Sequence, residues 1–222
     1  MAELDRTQPE AGVAGPGETA LILAAERLFA ERGVEGVSLR QVNQAANQKN
    51  NAAAHYHFGS RDGLVDAVLT YRLPHLDRRR AELLRRPAEP KGLRFYLEAF
   101  IKPLAEQLSP RSEGNYYIRF IQQYERHRGG DNAFVRGISP AGVQIYDGLE
   151  GLLYYLPEPV RRFRIGHLIN IIHSILAGAE ERLAGGALSD RDIELTVANL
   201  TDMVEAALTA PLSAETIERL RD

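Results

Sequence analysis

The stretch "SLRQVNQAANQKNNAAAHYHF", residues Ser38–Phe58, contains no Asp or Glu, although acidic residues outnumber Lys and Arg by 30 to 27 in the full chain of 222 residues. It is rich in Asn, Gln and His instead, and Arg40 and Lys49 supply its positive charge. A surface that packs against a negatively charged partner explains this composition, because such a partner repels carboxylates. An ordinary polar surface turn is the alternative interpretation.

The acid-free stretch is predicted to fold as two short helices joined by a tight turn. Its first residue is a good N-cap, and apolar residues at helical spacing continue to Ala46. The segment "NQKNN", residues 47–51, then forms a polar turn, and a second helix ends near Phe58. A longer helix is predicted from Thr19 up to Gly33. Together these elements form a helix-turn-helix, whose second helix enters the major groove of DNA.

The side chains of the turn suit the reading of base edges. In the major groove Asn and Gln pair with adenine, and Arg or Lys pairs with guanine. The "NQKNN" turn supplies four amides and one ammonium at the start of the second helix. Spacing alone is weak evidence, because many helical proteins contain such corners. The spacing and the chemistry together favour a DNA-reading helix.

The composition of the chain narrows the class of protein. Hydrophobic residues make up 44% and charged residues 26%, which is typical of soluble globular proteins. There is no Cys, which excludes disulfides and thiolate metal sites and favours a reducing compartment. The sequence shows neither a signal-peptide pattern nor an apolar run long enough to span a membrane. We therefore expect a cytoplasmic protein with no membrane partner, no metal and no cofactor.

The charge of the chain is unevenly distributed. A net charge of −3 and an isoelectric point of about 6.1 weigh against a nucleic-acid binder. However, residues 72–86 hold six Arg residues against Asp77 and Glu82, and the part from Glu180 onward is rich in acid. Bulk charge therefore does not exclude a local DNA-binding surface. Within the arginine-rich segment, Arg78–Arg80 are read as a solvated helix face, with contact to DNA or to a second domain as the alternative.

The whole chain is predicted to be all-α. Ser60 is a good N-cap for a linking helix that is disturbed at Pro74 and fades by about residue 86, and Pro87 and Pro90 mark a domain boundary. Helical periodicity resumes at about residues 91–108, 113–127, 142–155, 158–184 and 189–209. The predicted organisation is a disordered arm at 1–17, a three-helix DNA-binding domain at 18–72 with its linking helix, and a C-terminal helical bundle at 91–222.

The segments "ILAAERLFAERGVEGVSLRQVNQAA" and "AHYHFGSRDGLVDAVL" resemble the N-terminal DNA-binding domain of the TetR family of bacterial transcriptional regulators. The likeness covers about residues 19–72 and includes "LFAERG", "SLR" and "YHFGSRDGL" in that order. The remainder, 91–222, is similar to the family only in being helical and of suitable length. The resemblance implies a homodimer that binds double-stranded DNA at a partly palindromic operator. It also implies a C-terminal domain that binds a small-molecule effector. Regulators of this family are most often repressors, which the effector releases from DNA.

Carried onto this sequence, the resemblance implies two sets of DNA contacts. The phosphate contacts are Ser38, Arg40, His57 and Arg61, and the groove contacts are Lys49, Asn50, Asn51, Ala53, His55 and Tyr56. Two residues depart from the family pattern. Asn47 begins a turn that is usually led by Gly, and Asn tolerates positive φ better than most residues. Asn43 stands where a small residue commonly lets the two helices approach. A metal site on His55 and His57 is disfavoured, because residues two apart on a helix point to different faces.

The candidate effector site lies in the C-terminal part. Its predicted lining is Tyr96, Phe100, Tyr117, Phe120, Tyr124, Tyr146, Asn170 and His173, which suits a mainly apolar small molecule. Core packing is the alternative for the aromatic residues. A polar stripe, His167, Asn170, His173 and Ser174, faces either this pocket or a dimer seam. The seam is expected on residues 158–184 and 189–209, with Ile165, Leu168, Ile172 and Leu176 facing Val197, Leu200 and Val204.

Two other functions compete with a ligand-responsive regulator. One is an all-α enzyme, but the sequence contains no HExxH motif, no phosphate-binding Gly-rich loop and no paired carboxylates in an apolar context. No catalytic residue is therefore predicted. The other is a helical interaction protein that has lost DNA binding. Its weakness is that Arg40, Lys49 and Arg61 are all present in a segment without acids.

Overall fold

The computed structural model describes residues 15–50, 52–88, 90–108, 116–128 and 137–221, and over these residues the chain forms ten α-helices and no strand. The prediction of an all-α fold is confirmed. The helices are α1 Pro16–Arg32, α2 Leu39–Ala45, α3 Ala53–Phe58, α4 Arg61–Leu84, α5 Leu93–Ala105, α6 Tyr117–Arg128, α7 Pro140–Leu152, α8 Glu158–Ala184, α9 Asp190–Thr209 and α10 Ala214–Arg219. A 3-10 turn, Glu106–Leu108, extends α5. Most of the arm predicted at residues 1–17 lies outside the described residues.

Local capping sets the start of α2, the first short helix of the N-terminal part. The Ser38 hydroxyl accepts a hydrogen bond from the Gln41 amide at 3.3 Å, and the Gln41 side-chain oxygen accepts from the Ser38 amide at 2.8 Å. This reciprocal pair is a capping box, and it begins α2 at the residue that the sequence indicates. After α2 the chain turns at Asn47 with φ of 52°. The predicted N-cap and the predicted positive-φ turn are both confirmed.

A buried asparagine joins α2 to α3. Asn43 is 1% exposed, and its side-chain oxygen accepts a hydrogen bond of 2.9 Å from the backbone amide of Ala54. That amide lies in the first turn of α3, where backbone N–H groups have no partner within the helix. The polar side chain therefore replaces close packing with a directed bond, which explains how this pair of helices accepts Asn at a position that small residues commonly occupy.

The linking helix α4 is continuous through its proline. Ser60 caps its start by accepting a hydrogen bond of 3.0 Å from the Gly63 amide, and the helix then runs to Leu84. The expected disturbance at Pro74 does not end the helix. Proline removes one backbone hydrogen bond, and the burial of Leu73 and Leu76 on either side of it holds the segment in place.

One continuous hydrophobic core joins the N-terminal helices to the C-terminal ones. Helix α1 packs along α6, where the rings of Phe29 and Phe120 are stacked with centroids 6.1 Å apart. Beside them the buried carboxylate of Glu26 accepts hydrogen bonds from Arg72 at 2.6 and 2.9 Å and from the Tyr116 amide at 3.0 Å. The proline-flanked boundary after α4 is thus a break in sequence pattern, and the packing continues across it.

The side chains predicted to form a dimer seam belong to the core of the single chain. Within the chain α9 packs against both α5 and α8, and this packing buries six of the seven residues and partly buries Val197. The six buried residues are Ile165, Leu168, Ile172, Leu176, Leu200 and Val204. Because they already contact their own chain, they cannot face a partner, and that assignment is wrong. The outer faces of the same two helices instead expose Phe163, Ile171, Leu195 and Met203.

Candidate functional site

The outer surface of the helix-turn-helix exposes most of the predicted DNA contacts. The exposed residues are Ser38, Arg40, Lys49, Asn50, His55, Tyr56 and His57. Tyr56 is the most prominent, because 84% of its surface is accessible on α3. Ala53 is only 8% exposed and packs into the core beneath α3, so its assignment as a groove contact is corrected. Asn51 lies outside the described residues.

Asn50 has a structural task at the start of α3. Its side-chain oxygen accepts a hydrogen bond of 2.9 Å from the backbone amide of Ala52. Such a side-chain turn supports the helix start, since Ala52 offers no side-chain cap of its own. Asn50 is exposed, but its side-chain oxygen already accepts the hydrogen bond from Ala52. A two-bond contact with adenine would require this turn to open.

Arg61 is held by an acidic residue of the preceding loop. Its guanidinium donates to a carboxylate oxygen of Glu35 at 2.5 Å and to the Glu35 backbone carbonyl at 3.1 Å. The sequence predicts Arg61, at the start of α4, as a phosphate contact. A phosphate there would have to share the guanidinium with Glu35.

The end of α6 reaches the same loop through His127. One ring nitrogen, Nδ1, lies 2.7 Å from a carboxylate oxygen of Glu35, and the other, Nε2, lies 3.2 Å from Asp62. A neutral imidazole has one N–H donor, so both contacts are hydrogen bonds only when the ring is protonated. We call these four residues, Glu35, Arg61, Asp62 and His127, the Glu35 cluster. It connects α6 to the loop before α2 and to the start of α4.

A cavity of about 630 Å³ lies between α4, α5, α6, α7 and α8. Its aromatic lining consists of Phe100, Tyr117, Tyr124, Tyr146 and Phe163. Aliphatic residues of α4, α5, α6 and α8 complete the wall: Leu73, Leu76, Leu104, Ile121 and Ile169. Burial raises the pKa of the Tyr117 phenol, so its hydroxyl keeps its proton. The volume and the apolar lining suit a drug-sized organic molecule.

Charged and polar side chains also line this cavity. Arg80 of α4 is 4% exposed, and its guanidinium lies 4.6 Å from the centre of the Phe100 ring. Burial lowers the pKa of this guanidinium, because the charged form loses its hydration. On the opposite wall His173 is paired with Glu125, with Nδ1 and a carboxylate oxygen 2.7 Å apart. The cavity is therefore mainly apolar, with three buried polar residues in its wall: Arg80, Ser139 and His173.

The structure brings five of the eight predicted lining residues to the cavity: Phe100, Tyr117, Tyr124, Tyr146 and His173. The other three are corrected. Tyr96 packs its ring against Gly148 of α7, and Asn170 is exposed on the outer face of α8. Phe120 is 0% exposed and packs against Phe29 of α1.

The polar stripe on α8 divides between two surfaces. His173 faces the cavity, while His167, Asn170 and Ser174 are exposed. His167 stacks on Phe163 with ring centroids 6.2 Å apart, and Ser174 accepts a hydrogen bond of 3.2 Å from Gln122. Only His173 therefore belongs to the cavity.

Sequence reasoning missed Arg80 and Glu125 as cavity residues. The run Arg78–Arg80 is predicted as a solvated helix face, with contact to DNA or a second domain as the alternative, yet Arg80 occupies a core position of α4. It follows Leu73 and Leu76 at helical spacing and precedes Leu83, and all three leucines are buried. That spacing is visible in the sequence and could have separated Arg80 from its two neighbours.

In the described part of the chain, no group of three or more His, Cys, Asp or Glu side chains is placed to hold a metal ion. None of the helices there is both long and apolar enough to cross a lipid bilayer.

Comparison with known proteins gives a family match in the N-terminal part of the chain. Residues 21–68 match the family model of bacterial regulatory proteins, tetR family. A search of curated protein sequences gives no match.

Solved structures share the fold along most of the chain. A TetR-like transcriptional regulator from Rhodococcus sp. RHA1 has a TM-score of 0.56 at 17% identity, covering 88% of this chain and 97% of its own. The fatty acid degradation regulator FadR from Bacillus halodurans has a TM-score of 0.55 at 13% identity, covering 90% and 98%. A TetR transcriptional regulator from Legionella pneumophila has a TM-score of 0.50 at 16% identity, covering 86% and 98%. At these identities the likeness shows the fold. The match to the tetR family model covers residues 21–68, which include the helix-turn-helix.

Proposed function

We propose that this protein is a dimeric transcriptional repressor that leaves its operator when a small, mainly apolar molecule occupies the cavity. The observation that carries the proposal is the double role of α6. Tyr117, Ile121 and Tyr124 of this helix line the cavity, while Phe120 packs against α1 and His127 contacts the loop before α2. A ligand that moves α6 would therefore move the DNA-binding helices.

The DNA-binding surface of the proposal is the exposed side of α2, the turn and α3. Arg40 supplies positive charge for a phosphate, Lys49 reaches toward the groove, and Tyr56 points outward to a phosphate or a thymine methyl group. Asn51 is proposed as a base-reading residue from its place in the sequence. Replacing Asn51 with Ala should relax the preference at one base position per half-site, whereas loss of Arg40 should weaken binding to all sequences alike.

The dimer seam of the proposal lies on the outer faces of α8 and α9. These faces carry the exposed apolar residues Phe163, Ile171, Leu195 and Met203. Burial of these side chains against a second copy of the chain would stabilise the dimer. The exposed His167, Asn170 and Ser174 lie on the same side of α8 as Phe163 and Ile171 and would join this seam. One helix-turn-helix makes few phosphate contacts, so two-fold pairing on a partly palindromic operator would supply the affinity that one copy lacks.

The proposal is tested by selecting bound duplexes from random DNA with the full chain and titrating the best site with salt. We expect a partial palindrome whose affinity falls steeply with salt, because bound phosphates release counterions. Sedimentation should show a dimer at micromolar concentration. A flat salt dependence without any enriched sequence would favour the helical interaction protein instead. A monomer would rule out the proposed seam.

Ligand occupancy must also shift DNA affinity in one direction. A ligand changes the equilibrium only through its different affinity for the DNA-competent and DNA-incompetent arrangements. If cavity ligands bind the protein and leave operator affinity unchanged, the proposed release by ligand is wrong, even if the protein does bind DNA.

A further inference from the structure

Arg80 is a buried cation in the wall of the cavity. Its residue surface is 4% exposed, and it stands among leucines on the inward face of α4. Its Nε has no hydrogen-bond partner among the described residues, and Nη1 makes one long bond of 3.4 Å to the Ser139 hydroxyl. A buried charge with so few partners is unfavourable in an empty protein, since the guanidinium has lost water and gained little in return.

The carboxylate of Asp77 attracts Arg80, but its hydrogen bonds go to other groups. Asp77, one turn before Arg80 on α4, accepts hydrogen bonds from the Ser139 hydroxyl at 2.6 Å and from the amides of Gly142 and Ala141 at 3.1 and 3.3 Å. These amides belong to the first turn of α7, whose free N–H groups and dipole favour a negative charge. Asp77 therefore caps α7. Among the described residues, no carboxylate lies within salt-bridge distance of Arg80; the acidic residues of the ion pairs there pair with other cations, such as Arg72, Arg79 and Arg119.

The remaining charges of the lining do not neutralise Arg80. Glu125 is paired with His173, and Asp147 is exposed to solvent. Glu158 and Arg162 are paired with each other at 3.7 Å and are mostly exposed, so with exposed Phe163 they mark the mouth of the cavity. The ring of Phe100 beside Arg80 stabilises a cation, but it carries no charge to balance one.

We propose that the cavity ligand is an organic anion with an apolar body, whose carboxylate pairs with Arg80. This rests on the proposed function only for the existence of a cavity ligand. The guanidinium offers Nε and a second N–H as a fork for a carboxylate, and the rings of Phe100, Tyr117 and Tyr146 line the space for the apolar body. The ion pair forms away from the mouth, where little water competes with it.

The experiment compares three probes with one apolar body and different head groups: biphenyl-4-carboxylate, biphenyl-4-carboxamide and 4-phenylbenzylamine. Binding to the full chain is measured directly by calorimetry without DNA. We expect the carboxylate to bind at least about tenfold more tightly than the amide, since hydrogen bonds to charged groups are stronger than neutral ones. The amine should bind most weakly of the three, because Arg80 repels it.

Two arginine variants locate the preference. Arg80→Gln should bind the carboxylate and the amide alike, while Arg162→Gln at the mouth should keep the tenfold preference. The head-group ranking of the unchanged protein stands as a test by itself if Arg80→Gln fails to fold. An amide or amine that binds as tightly as the carboxylate overturns the proposal, as does a preference that survives in Arg80→Gln. Equal binding of all three probes would refute the role of Arg80 while leaving a ligand cavity in place, whereas no binding of any probe would count against both.

Discussion

Helix α6 has two faces that the protein builds in opposite ways. Toward α1 it is tightly packed, with Phe120 fully buried against Phe29 and the Glu26 carboxylate bonded to the Tyr116 amide at 3.0 Å just before the helix begins. Toward α4 and α7 it is hollow, and Tyr117 and Tyr124 line a cavity of about 630 Å³. A rigid contact on one side and free volume on the other make α6 an element that a ligand can displace only together with α1.

The tight face should respond most strongly to loss of volume. Phe120→Ala is expected to lower the free energy of unfolding by about 3–5 kcal/mol, because it opens a cavity where the surrounding helices cannot collapse. Tyr146→Ala, at a partly buried residue of α7 that lines the cavity opposite the tight face, should cost less than half as much. Urea unfolding of both variants measures the difference, and equal losses would show that the two faces are packed alike.

The buried ion pair between Glu26 and Arg72, beside the tight face, should make the second-largest contribution to stability. Glu26→Gln removes the charge that Arg72 faces at 2.6 Å and is expected to cost about 3 kcal/mol, since a partly buried guanidinium is left without its partner. The matched control is Glu106→Gln, which breaks an exposed pair with Arg79 and should cost well under about 1 kcal/mol. A similar cost for both changes would mean that burial adds nothing to the Glu26–Arg72 pair.

Sequence patterns predicted the aromatic residues of α6 but not which of its two faces each of them occupies. The spacing of Tyr117, Phe120 and Tyr124 places them near one another on the helix, but the space between neighbouring helices decides which ring meets α1 and which meets the cavity. Local signals fared better in the helix-turn-helix. There the Ser38 cap and the Asn47 turn depend on nearby residues, and both were predictable. The ion pair that holds Arg61 was not, because Glu35 lies far from it in sequence.

The hydrogen bond between Asn43 of α2 and Ala54 of α3 should contribute less to stability than the Glu26–Arg72 pair, but it affects DNA binding directly. Asn43→Ala should cost about 1–3 kcal/mol of stability, because the Ala54 amide loses the acceptor 2.9 Å away. It should also weaken operator binding, since α3 is no longer held against α2. Gln44→Ala, an exposed neighbour, is the control for both readouts. If operator affinity were unchanged in a folded Asn43→Ala protein, the placement of α3 would not depend on this bond.

The Glu35 cluster should have the smallest effect on stability and the most specific effect on function. His127→Ala removes contacts of 2.7 and 3.2 Å to Glu35 and Asp62, and its expected cost is about 0.5–1.5 kcal/mol. If α6 signals to the DNA-binding helices through this residue, biphenyl-4-carboxylate should change operator affinity less in the variant than in the parent. Ligand-free operator affinity should stay close to that of the parent, because His127 is not itself on the DNA-binding surface. Fluorescence anisotropy with and without the probe measures both quantities, and Arg126→Ala, an exposed neighbour on α6, serves as the control. An undiminished response in His127→Ala would leave the Phe29–Phe120 contact as the connection between the cavity and α1.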